Sequence, residues 1–289
     1  MLKERLSALW KAREDRARSH VGHLIERLGL TAAPIPLAPI ASVCRVQRVV
    51  FRPMLGSGAT VPTDTGFTMY VNCKSEDVND WDARFNDQSD QGRFLPNRAR
   101  FTVAHEIAHT LFYDWSASVG TSLVPIRHHK ALNSLERTCN RVAGSLLLPE
   151  HLLWQEISEL RTFEADQLVG VARKFRVSLE TLILRLDSLP YLPNSDSGVA
   201  LAAGCGPNLM ITRKTASGRI APLLRLAEGA SLPTFLASDP RLLVNGGSVR
   251  SISLSPRSTS GSTEKYVVTF ARVGTTARPR FLIAAELRA

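Results

Sequence analysis

The strongest constraint on the fold is an apolar helical segment, residues 98–114, that carries two histidines and a glutamate. Its sequence is RARFTVAHEIAHTLFYD, with His105, Glu106 and His109 in H-E-x-x-H spacing. Four residues advance an α-helix by about 400°, so the two imidazoles project from nearly the same side. The apolar neighbours predict a largely buried helix. Buried polar side chains need partners, and one metal ion shared by the two rings would satisfy them.

The residue types of this motif predict a zinc site that hydrolyses an amide bond. Neutral imidazole suits Zn²⁺, which accepts tetrahedral coordination and undergoes no redox change. Zinc lowers the pKa of a bound water toward about 7, and Glu106 is placed to accept its proton. The same carboxyl can then protonate the leaving amine. The motif therefore favours metal-assisted peptide hydrolysis over an incidental His/Glu cluster on a surface helix.

A catalytic zinc site needs three protein ligands and one open position, so a third ligand must come from elsewhere. Apolar and small residues recur at helical spacing in residues 134–149, SLERTCNRVAGSLLLP, which predicts a second helix. Glu136 in that helix is the candidate third ligand, because a distal glutamate completes the recurrent His₂Glu arrangement. By ligand chemistry alone, His128 and His129 in the intervening segment are competing candidates.

The two segments RFTVAHEIAHTLF and LERTCNRVAGSLLLP resemble the ImmA/IrrE family of bacterial metallopeptidases over about residues 40–190. That family shows an R-F-T-x-A-H-E-x-x-H helix, followed by E-x-x-A-N-x-F-A-x-x-L-L-x-P on the next helix. The resemblance implies metal ligands at His105, His109 and Glu136, with Glu106 as the general base. This chain has a cysteine and a valine, at 139 and 142, where the family has alanine and phenylalanine; neither position is a proposed ligand.

The resemblance also implies a function, a cytoplasmic zinc endopeptidase with a narrow substrate range. The usual targets in the family are XRE-type helix-turn-helix repressors, whose cleavage releases stress-response or mobile-element genes. Mn²⁺ is an alternative metal to Zn²⁺. A different class of function is a DNA-binding or ligand-sensing transcriptional regulator with a structural metal site. In that case a fourth protein ligand, such as His128 or His129, would close the coordination.

Composition bounds the compartment and the partners. No run approaches about 18 apolar residues, and the N-terminal segment is too charged for a secretory signal, so neither a membrane span nor a leader is expected. The four scattered cysteines form no C-x-x-C pair, which fits free thiols in the cytoplasm. The net charge is +10, and most of it lies in residues 191–289. This balance is compatible with an acidic partner or nucleic acid and demonstrates neither.

The predicted fold class is α+β, in four regions. The first is an N-terminal helix with a Pro-rich connector. The second is a mostly helical, zincin-like peptidase domain with a small antiparallel sheet. A helix-turn-helix-like segment and a C-terminal mixed α/β, GAF-like domain follow. The boundaries of the four regions are 1–42, 43–160, 161–190 and 198–289.

Two stretches before the histidine helix are rich in β-branched residues. Residues 42–54 predict one strand and residues 60–72 one or two more, with a turn over 56–59. An edge strand beside the helix could hold a substrate by β-addition, or could only support the helix. Residues 74–95 carry six acidic residues and predict a polar loop. That loop is either a disordered insertion or an acidic border that favours a basic substrate.

Several side chains near the motif are secondary candidates. Arg98 and Arg100 are predicted to precede the helix, where one of them could pair with a carboxylate beside the metal. Tyr113 could donate to a transition-state oxyanion or only pack as an aromatic ring. Asp114 could orient a ligand histidine through its other ring nitrogen. The segment 115–133 is predicted to be a loop that could cover the cleft.

Residues 166–189 predict two helices joined by a turn, with Ser178 as the N-cap of the second. The second helix either enters a DNA groove or supports the zinc domain structurally. Its outer face carries Glu180 and Asp187, whose charges would repel phosphate, so the structural role is favoured and DNA binding is not.

Beyond the linker 191–197, the composition shifts toward Gly, Ser, Thr, Pro and Arg. Strand-like stretches and one short helix are predicted there, the strands at 209–212, 251–254, 266–270 and 281–285 and the helix within 218–230. In the branch of the ImmA/IrrE family that regulates radiation and desiccation responses, a GAF-like domain stands in this place. The resemblance therefore implies a C-terminal sensor domain.

Overall fold

The computed structural model describes ten stretches of the chain, which divide into two compact units. The stretches are 2–86, 94–114, 121–122, 129–160, 164–189, 197–203, 210–216, 249–254, 265–272 and 280–288. The first unit, here the N-terminal unit, comprises Met1–Leu152 and Phe175–Val177. The second, the C-terminal unit, comprises Leu153–Lys174 and Ser178–Ala289.

The N-terminal unit opens with two helices. Helix α1 spans Leu2–Arg27, and Gly29 follows it at a φ of +64°, a conformation that favours glycine after a helix. The Pro-rich segment is not only a connector, because helix α2 (Leu37–Val43) forms inside it. Pro36 precedes the first turn and Pro39 lies within it, where a helix tolerates proline because the N–H has no intrahelical partner.

A three-stranded sheet follows, in the order β1-β3-β2. Its strands are β1 (Val46–Arg52), β2 (Gly58–Pro62) and β3 (Phe67–Asn72). Strands β2 and β3 form an antiparallel hairpin, whereas β1 pairs with β3 in parallel. The prediction of an antiparallel sheet was therefore wrong for β1, because the chain crosses to the far edge before the hairpin returns it. Among the described strands, β2 has one edge without a partner.

The polar segment before the histidine helix is folded over its first part, so the prediction of a loop was wrong there. It consists of a 3₁₀ turn and helix α3, Ser75–Asp77 and Val78–Asn86. The rings of Trp81 and Phe85, four residues apart on α3, each lie 6.0 Å from the ring of Phe51 on β1. These aromatic contacts fix the helix to the sheet. Residues 87–93 lie outside the described part of the chain.

Helices α4 and α5 pack side by side through small and aliphatic residues. The remaining elements up to residue 160 are α4 (Asn97–Thr110), β4 (Tyr113–Asp114), β5 (Thr121–Ser122), α5 (His129–Leu147) and α6 (Glu150–Ser158). Both predicted helices are present. Helix α5 begins earlier than predicted, so the end of the predicted loop is helical. At the α4–α5 contact, Ala104, Ala108 and Ala143 are fully buried, which lets the two backbones approach closely.

The C-terminal unit combines two helices with an antiparallel sheet. Besides the part of α6 from Leu153 onward, its elements are α7 (Ala165–Lys174), α8 (Leu179–Asp187), β6 (Ser197–Ala203), β7 (Met210–Ala216), β8 (Val249–Leu254), β9 (Lys265–Arg272) and β10 (Arg280–Arg288). The strand order is β7-β6-β10-β9-β8, and all of these pairings are antiparallel. The four predicted strands are present, but β6 was not predicted. The predicted helix within 218–230 lies outside the described residues, as does most of the linker.

The helix pair α7 and α8 packs against this sheet, α8 on β7 and β6 and α7 on β9 and β10. The hydroxyl of Ser178 accepts a hydrogen bond from the Thr181 amide at 3.1 Å, which confirms the predicted N-cap. These helices were expected to support the zinc domain, but they pack on the sheet of the C-terminal unit. None of the helices that the structure describes combines the length and apolar character that a bilayer span requires.

Candidate metal centre

Three side chains of metal-ligand type meet between α4 and α5. His105 and His109 come from successive turns of α4, and Glu136 comes from α5. The Nε2 atoms of the two rings are 3.0 Å apart, and the Glu136 carboxylate lies 3.1 Å from His105 Nε2 and 3.4 Å from His109 Nε2. Among the described residues, these three form a group whose ligand atoms all lie within 4.8 Å of one another.

These separations fit a shared metal ion. Bond lengths of about 2.0–2.1 Å around a tetrahedral zinc place neighbouring ligand atoms about 3.3 Å apart. The separations of 3.0, 3.1 and 3.4 Å, of which the last two end on different oxygens of Glu136, scatter around that value. Two nitrogens and one carboxylate oxygen also match the His₂Glu set that leaves a fourth position open. The cluster is therefore compatible with a metal ion in both geometry and ligand type.

The protonation pattern of the rings points the same way. The amide oxygen of Asn140 lies 2.9 Å from His105 Nδ1, so Nδ1 carries the proton and donates it to the amide. In the tautomer protonated at Nδ1, the lone pair of Nε2 faces His109 Nε2 and the Glu136 carboxylate, which are themselves electron donors. Burial, and then the neighbouring His105, lower the pKa of His109 to about 4, so this ring is also neutral at physiological pH. Converging lone pairs of this kind are compatible with a cation between them.

Glu106 lies beside the cluster and is buried, with 5 % of its surface exposed. The hydroxyl of Thr60, on the edge strand β2, donates to Glu106 Oε2 at 2.8 Å. Burial raises the pKa of the Glu106 carboxyl above its ordinary value, and the Thr60 hydrogen bond partly offsets this shift. A carboxyl in this environment is oriented by one hydrogen bond and holds a proton more readily than a solvated glutamate.

Strand β2 approaches Glu106 closely because it begins with glycine. A Cβ atom at Gly58 would lie 2.7 Å from Glu106 Oε1 and 2.8 Å from Thr102 Cγ2. Both distances are far below van der Waals contact, so any side chain at this position would force Glu106, Thr102 or the strand to shift. Of the turn predicted over 56–59, Gly56 and Ser57 form a bend, and Gly58 and Ala59 begin the strand that lies against the site.

The cluster opens into a cleft of about 610 Å³. Residues of β2 and its approach, of α4 and of α5 line this cleft together with two aromatic residues that follow α4; the full set is Ser57, Gly58, Ala59, Thr60, Arg98, Phe101, Thr102, His105, Glu106, His109, Phe112, Tyr113, Leu135, Glu136 and Asn140. Tyr113 both lines the cleft and packs edge-on against Phe67, with ring centroids 5.0 Å apart. Its predicted packing role is confirmed, and its position also leaves it accessible from the cleft.

The two arginines of the motif lie inside α4 rather than before it, and they differ. Arg98 is exposed and lines the cleft. Arg100 is buried, donates from Nη2 to the Ile35 carbonyl at 3.0 Å and lies 5.1 Å from the centre of the Phe94 ring. Arg100 therefore ties α4 to the segment before α2, and the ion pair predicted for one of these arginines at the metal site is not found among the described residues.

Other predicted candidates lie outside the description. His128 and the side chains of His129 and Asp114 are among these, so their predicted roles stay predictions. Asn140, rather than Asp114, is the described partner of a ligand histidine. Sequence reasoning did not assign a role to Asn140, Thr60 or Gly58. The available signal was spacing, since Asn140 lies one helical turn after Glu136 on the same face of α5.

Comparisons with known proteins agree with the geometry. A family model described as the IrrE N-terminal-like domain matches residues 93–187, which include α4 and α5. No curated protein sequence matches the chain significantly. Among solved structures, a Mycobacterium tuberculosis transcriptional regulator is similar, with a TM-score of 0.53 and 13% identity over 96% of this chain and 79% of that chain. At this identity the likeness concerns the fold alone. The family match confirms the predicted resemblance to the ImmA/IrrE family over residues 93–187.

Proposed function

We propose that this protein is a zinc-dependent endopeptidase in which His105, His109 and Glu136 hold the metal and Glu106 is the general base. The observation that carries the proposal is the convergence of the three ligand-type side chains beside a buried glutamate in one cleft. Bound at this cluster, zinc would supply Lewis acidity to a water molecule and to the scissile carbonyl. Mn²⁺ could bind the same three ligands, but two imidazoles match its ligand preference less well than that of zinc.

The residues of the chain then move the proton. Glu106 accepts a proton from the attacking water and passes it to the leaving nitrogen. Its raised pKa favours holding the proton between these two steps, and the Thr60 hydroxyl keeps the carboxyl oriented toward the cleft. Asn140 holds His105 in the tautomer whose Nε2 is free to bind the metal.

The substrate would lie along β2. This strand has a free edge among the described strands and contributes Gly58, Ala59 and Thr60 to the cleft. An extended peptide could add to it through main-chain hydrogen bonds, which would place the scissile bond beside Glu106. The close approach of Gly58 to α4 also shows that the sheet supports the helix, so the two predicted roles of this strand are compatible.

The proposed biological substrate is a helix-turn-helix repressor in the cytoplasm, whose cleavage would derepress stress-response or mobile-element genes. The C-terminal unit is proposed as a GAF-like sensor domain that governs this activity. The arrangement of two helices on an antiparallel sheet supports an independent module for that role. The family match supports the peptidase class, while the repressor and the signal rest on the resemblance.

The test compares the new protein N-termini in host cells that express the wild type or Glu106→Ala. A repressor fragment that appears only with the wild type would support the proposal and identify the substrate. Metal content separates the two roles in the site. Glu106→Ala should retain zinc and lose about 10²–10⁴-fold or more in cleavage rate, whereas His105→Ala and Glu136→Ala should lose the metal as well. Unchanged proteolysis in the Glu106 variant would refute the mechanism.

A second candidate is a transcriptional regulator whose metal site is structural. This candidate is considered because the solved structure of similar fold is described as a transcriptional regulator. This alternative predicts DNA binding that survives Glu106→Ala and weakens steeply with salt. It also predicts a fourth protein ligand at the metal, which metal-edge spectroscopy of the zinc-loaded protein would detect.

A further inference from the structure

We propose that Arg98 selects a substrate with an acidic side chain about three residues from the scissile bond. This inference rests on the proposed peptidase function and specifies its substrate class. Arg98 is exposed, lies in the first turn of α4 and lines the same cleft as the candidate metal ligands. It takes no part in the proposed metal binding or proton transfer.

The helix fixes the distance between Arg98 and the metal ligands. Arg98 precedes His105 by two helical turns, so both side chains project toward the same side of α4. A rise of 1.5 Å per residue separates them by roughly 10 Å along the helix axis. An extended peptide advances about 3.3 Å per residue, so three residues cover the same span. A peptide lying along β2 would therefore bring a side chain from about its third position beside the Arg98 guanidinium.

The charges of the cleft residues around Arg98 indicate that the substrate side chain beside it should be acidic. Of the lining residues that the structure describes, Arg98 is the one with a permanent positive charge, and the two acidic ones, Glu106 and Glu136, are already assigned to the proton and the metal. A guanidinium binds a carboxylate through two parallel hydrogen bonds, which gives both affinity and orientation.

Arg98 is also available for such a contact. Within the described residues it has no ion-pair partner, whereas other arginines of this unit do. Arg84 pairs with Asp80 at 2.7 Å, and Arg141 pairs with Glu14 at 2.7 Å. None of the acidic residues in the described part of the polar segment 74–86 lines the cleft, so that segment does not compete for Arg98. The cleft thus favours an acidic substrate segment, in contrast to the basic substrate expected from an acidic border.

The test uses the zinc-loaded full-length protein and a fully degenerate dodecapeptide library, with new termini sequenced by mass spectrometry. Residues on both sides of each cut are recorded, because the peptide direction on β2 decides which side the acid occupies. The wild type should enrich Asp and Glu at one position about three residues from the cut. Arg98→Glu should instead enrich Lys and Arg at that position. It should also change the ratio of the kcat/KM values for a matched pair of Asp and Lys peptides by about tenfold.

Arg48→Glu is the matched control, since Arg48 is an exposed arginine on β1 that does not line the cleft. It should keep the wild-type preference. An acidic preference that persists unchanged in Arg98→Glu would overturn the inference and leave the peptidase function intact.

A binding measurement separates this inference from the peptidase proposal. Fluorescence anisotropy of the Asp and Lys peptides is measured with zinc-loaded Glu106→Gln and with the same protein carrying Arg98→Glu. Preferential binding of the Asp peptide that reverses with Arg98→Glu supports the inference, even if the wild type cleaves nothing and the peptidase proposal fails. Equal binding of the two peptides by Glu106→Gln overturns it, whether or not the wild type is a peptidase.

Discussion

At the scale of single residues, Asn140 shows how one side chain outside the ligand set controls the cluster. Its amide oxygen accepts the Nδ1 proton of His105, which leaves Nε2 free to bind a metal. We expect Asn140→Leu to lower zinc affinity by about 10–100-fold, since a ligand histidine loses both its tautomer and its orientation without this partner. Competition against a fluorescent zinc chelator would measure the change.

Asn133→Leu is the control for this prediction, because Asn133 is exposed on the same helix and does not touch the cluster. Its zinc affinity should equal that of the wild type. If Asn140→Leu bound zinc as tightly as Asn133→Leu, the amide would have no role in preparing the site.

The buried thiol of Cys44 should make the free energy of unfolding depend on pH. Burial raises the pKa of its thiol to about 11, and the Thr110 hydrogen bond opposes this only in part. The unfolded thiol ionises near 9, so between about pH 9 and 11 the unfolded state loses its proton first and becomes favoured. The stability that this thiol contributes is present below that range and is lost within it, by about 2–3 kcal/mol.

Urea unfolding at pH 8 and pH 10.5 would measure this loss. Cys44→Ala should fall less than the wild type over the same interval, because it has no thiol to ionise. Equal declines in the two proteins would mean that Cys44 ionises in the folded state as easily as in the unfolded one.

At the scale of secondary-structure elements, the contact between β2 and α4 depends on Gly58. The methyl group of an alanine would collide with Glu106 Oε1 and Thr102 Cγ2, at 2.7 and 2.8 Å. We expect Gly58→Ala to move the strand away from the helix, to reduce the free energy of unfolding by about 1–3 kcal/mol and to lower activity through the displaced Thr60.

Gly22→Ala provides the matched comparison. Gly22 lies inside α1, where an added Cβ would meet no atom within 4 Å. Alanine should therefore be neutral or stabilise the protein by up to about 1 kcal/mol, through its better helix propensity. Chemical denaturation of both variants gives the two values, and a loss at Gly58 no larger than at Gly22 would show that β2 adapts without cost.

The elements also show what the sequence could and could not determine. Helices α4 and α5 have continuous apolar faces and a motif with fixed spacing, so the local sequence pattern was sufficient to predict both helices. The parallel pairing of β1 with β3 depends on contacts distant in sequence, and no local signal reports it. Strand β6, SGVALAA, is rich in alanine and glycine and has low strand propensity; its pairing with β7 and β10 on both sides imposes the extended conformation.

The residues of the candidate site also differ in whether local sequence could predict them. The ligand candidates could be found because their spacing follows from helix geometry. The contacts that prepare them could not, since Thr60 comes from a strand 46 residues before Glu106 and is brought to it only by the tertiary fold. The same holds for Gly58, whose importance lies in what surrounds it rather than in a glycine turn pattern.

At the scale of the whole molecule, the metal cluster belongs to one of two compact units. All three ligand-type residues lie in the N-terminal unit, whereas the C-terminal unit has its own buried residues, including Val199, Leu201 and Leu282. A ligand that binds only the folded state stabilises the region that forms its site, by about 4 kcal/mol at a thousandfold excess over Kd. Zinc should therefore protect the two units unequally.

Hydrogen–deuterium exchange of the full-length chain with and without zinc would measure this difference. Amides of α4 and α5 should exchange more slowly with zinc, by up to about 10³-fold where exchange requires opening of the site. Those of β6, β9 and β10 should not change. Glu136→Ala is the control, because without its carboxylate zinc should protect neither unit. Zinc-dependent protection that extends into the C-terminal sheet would show instead that the two units unfold together. In that case the stability of the sheet and zinc binding would be energetically coupled, and a signal received by the sheet would change the metal site.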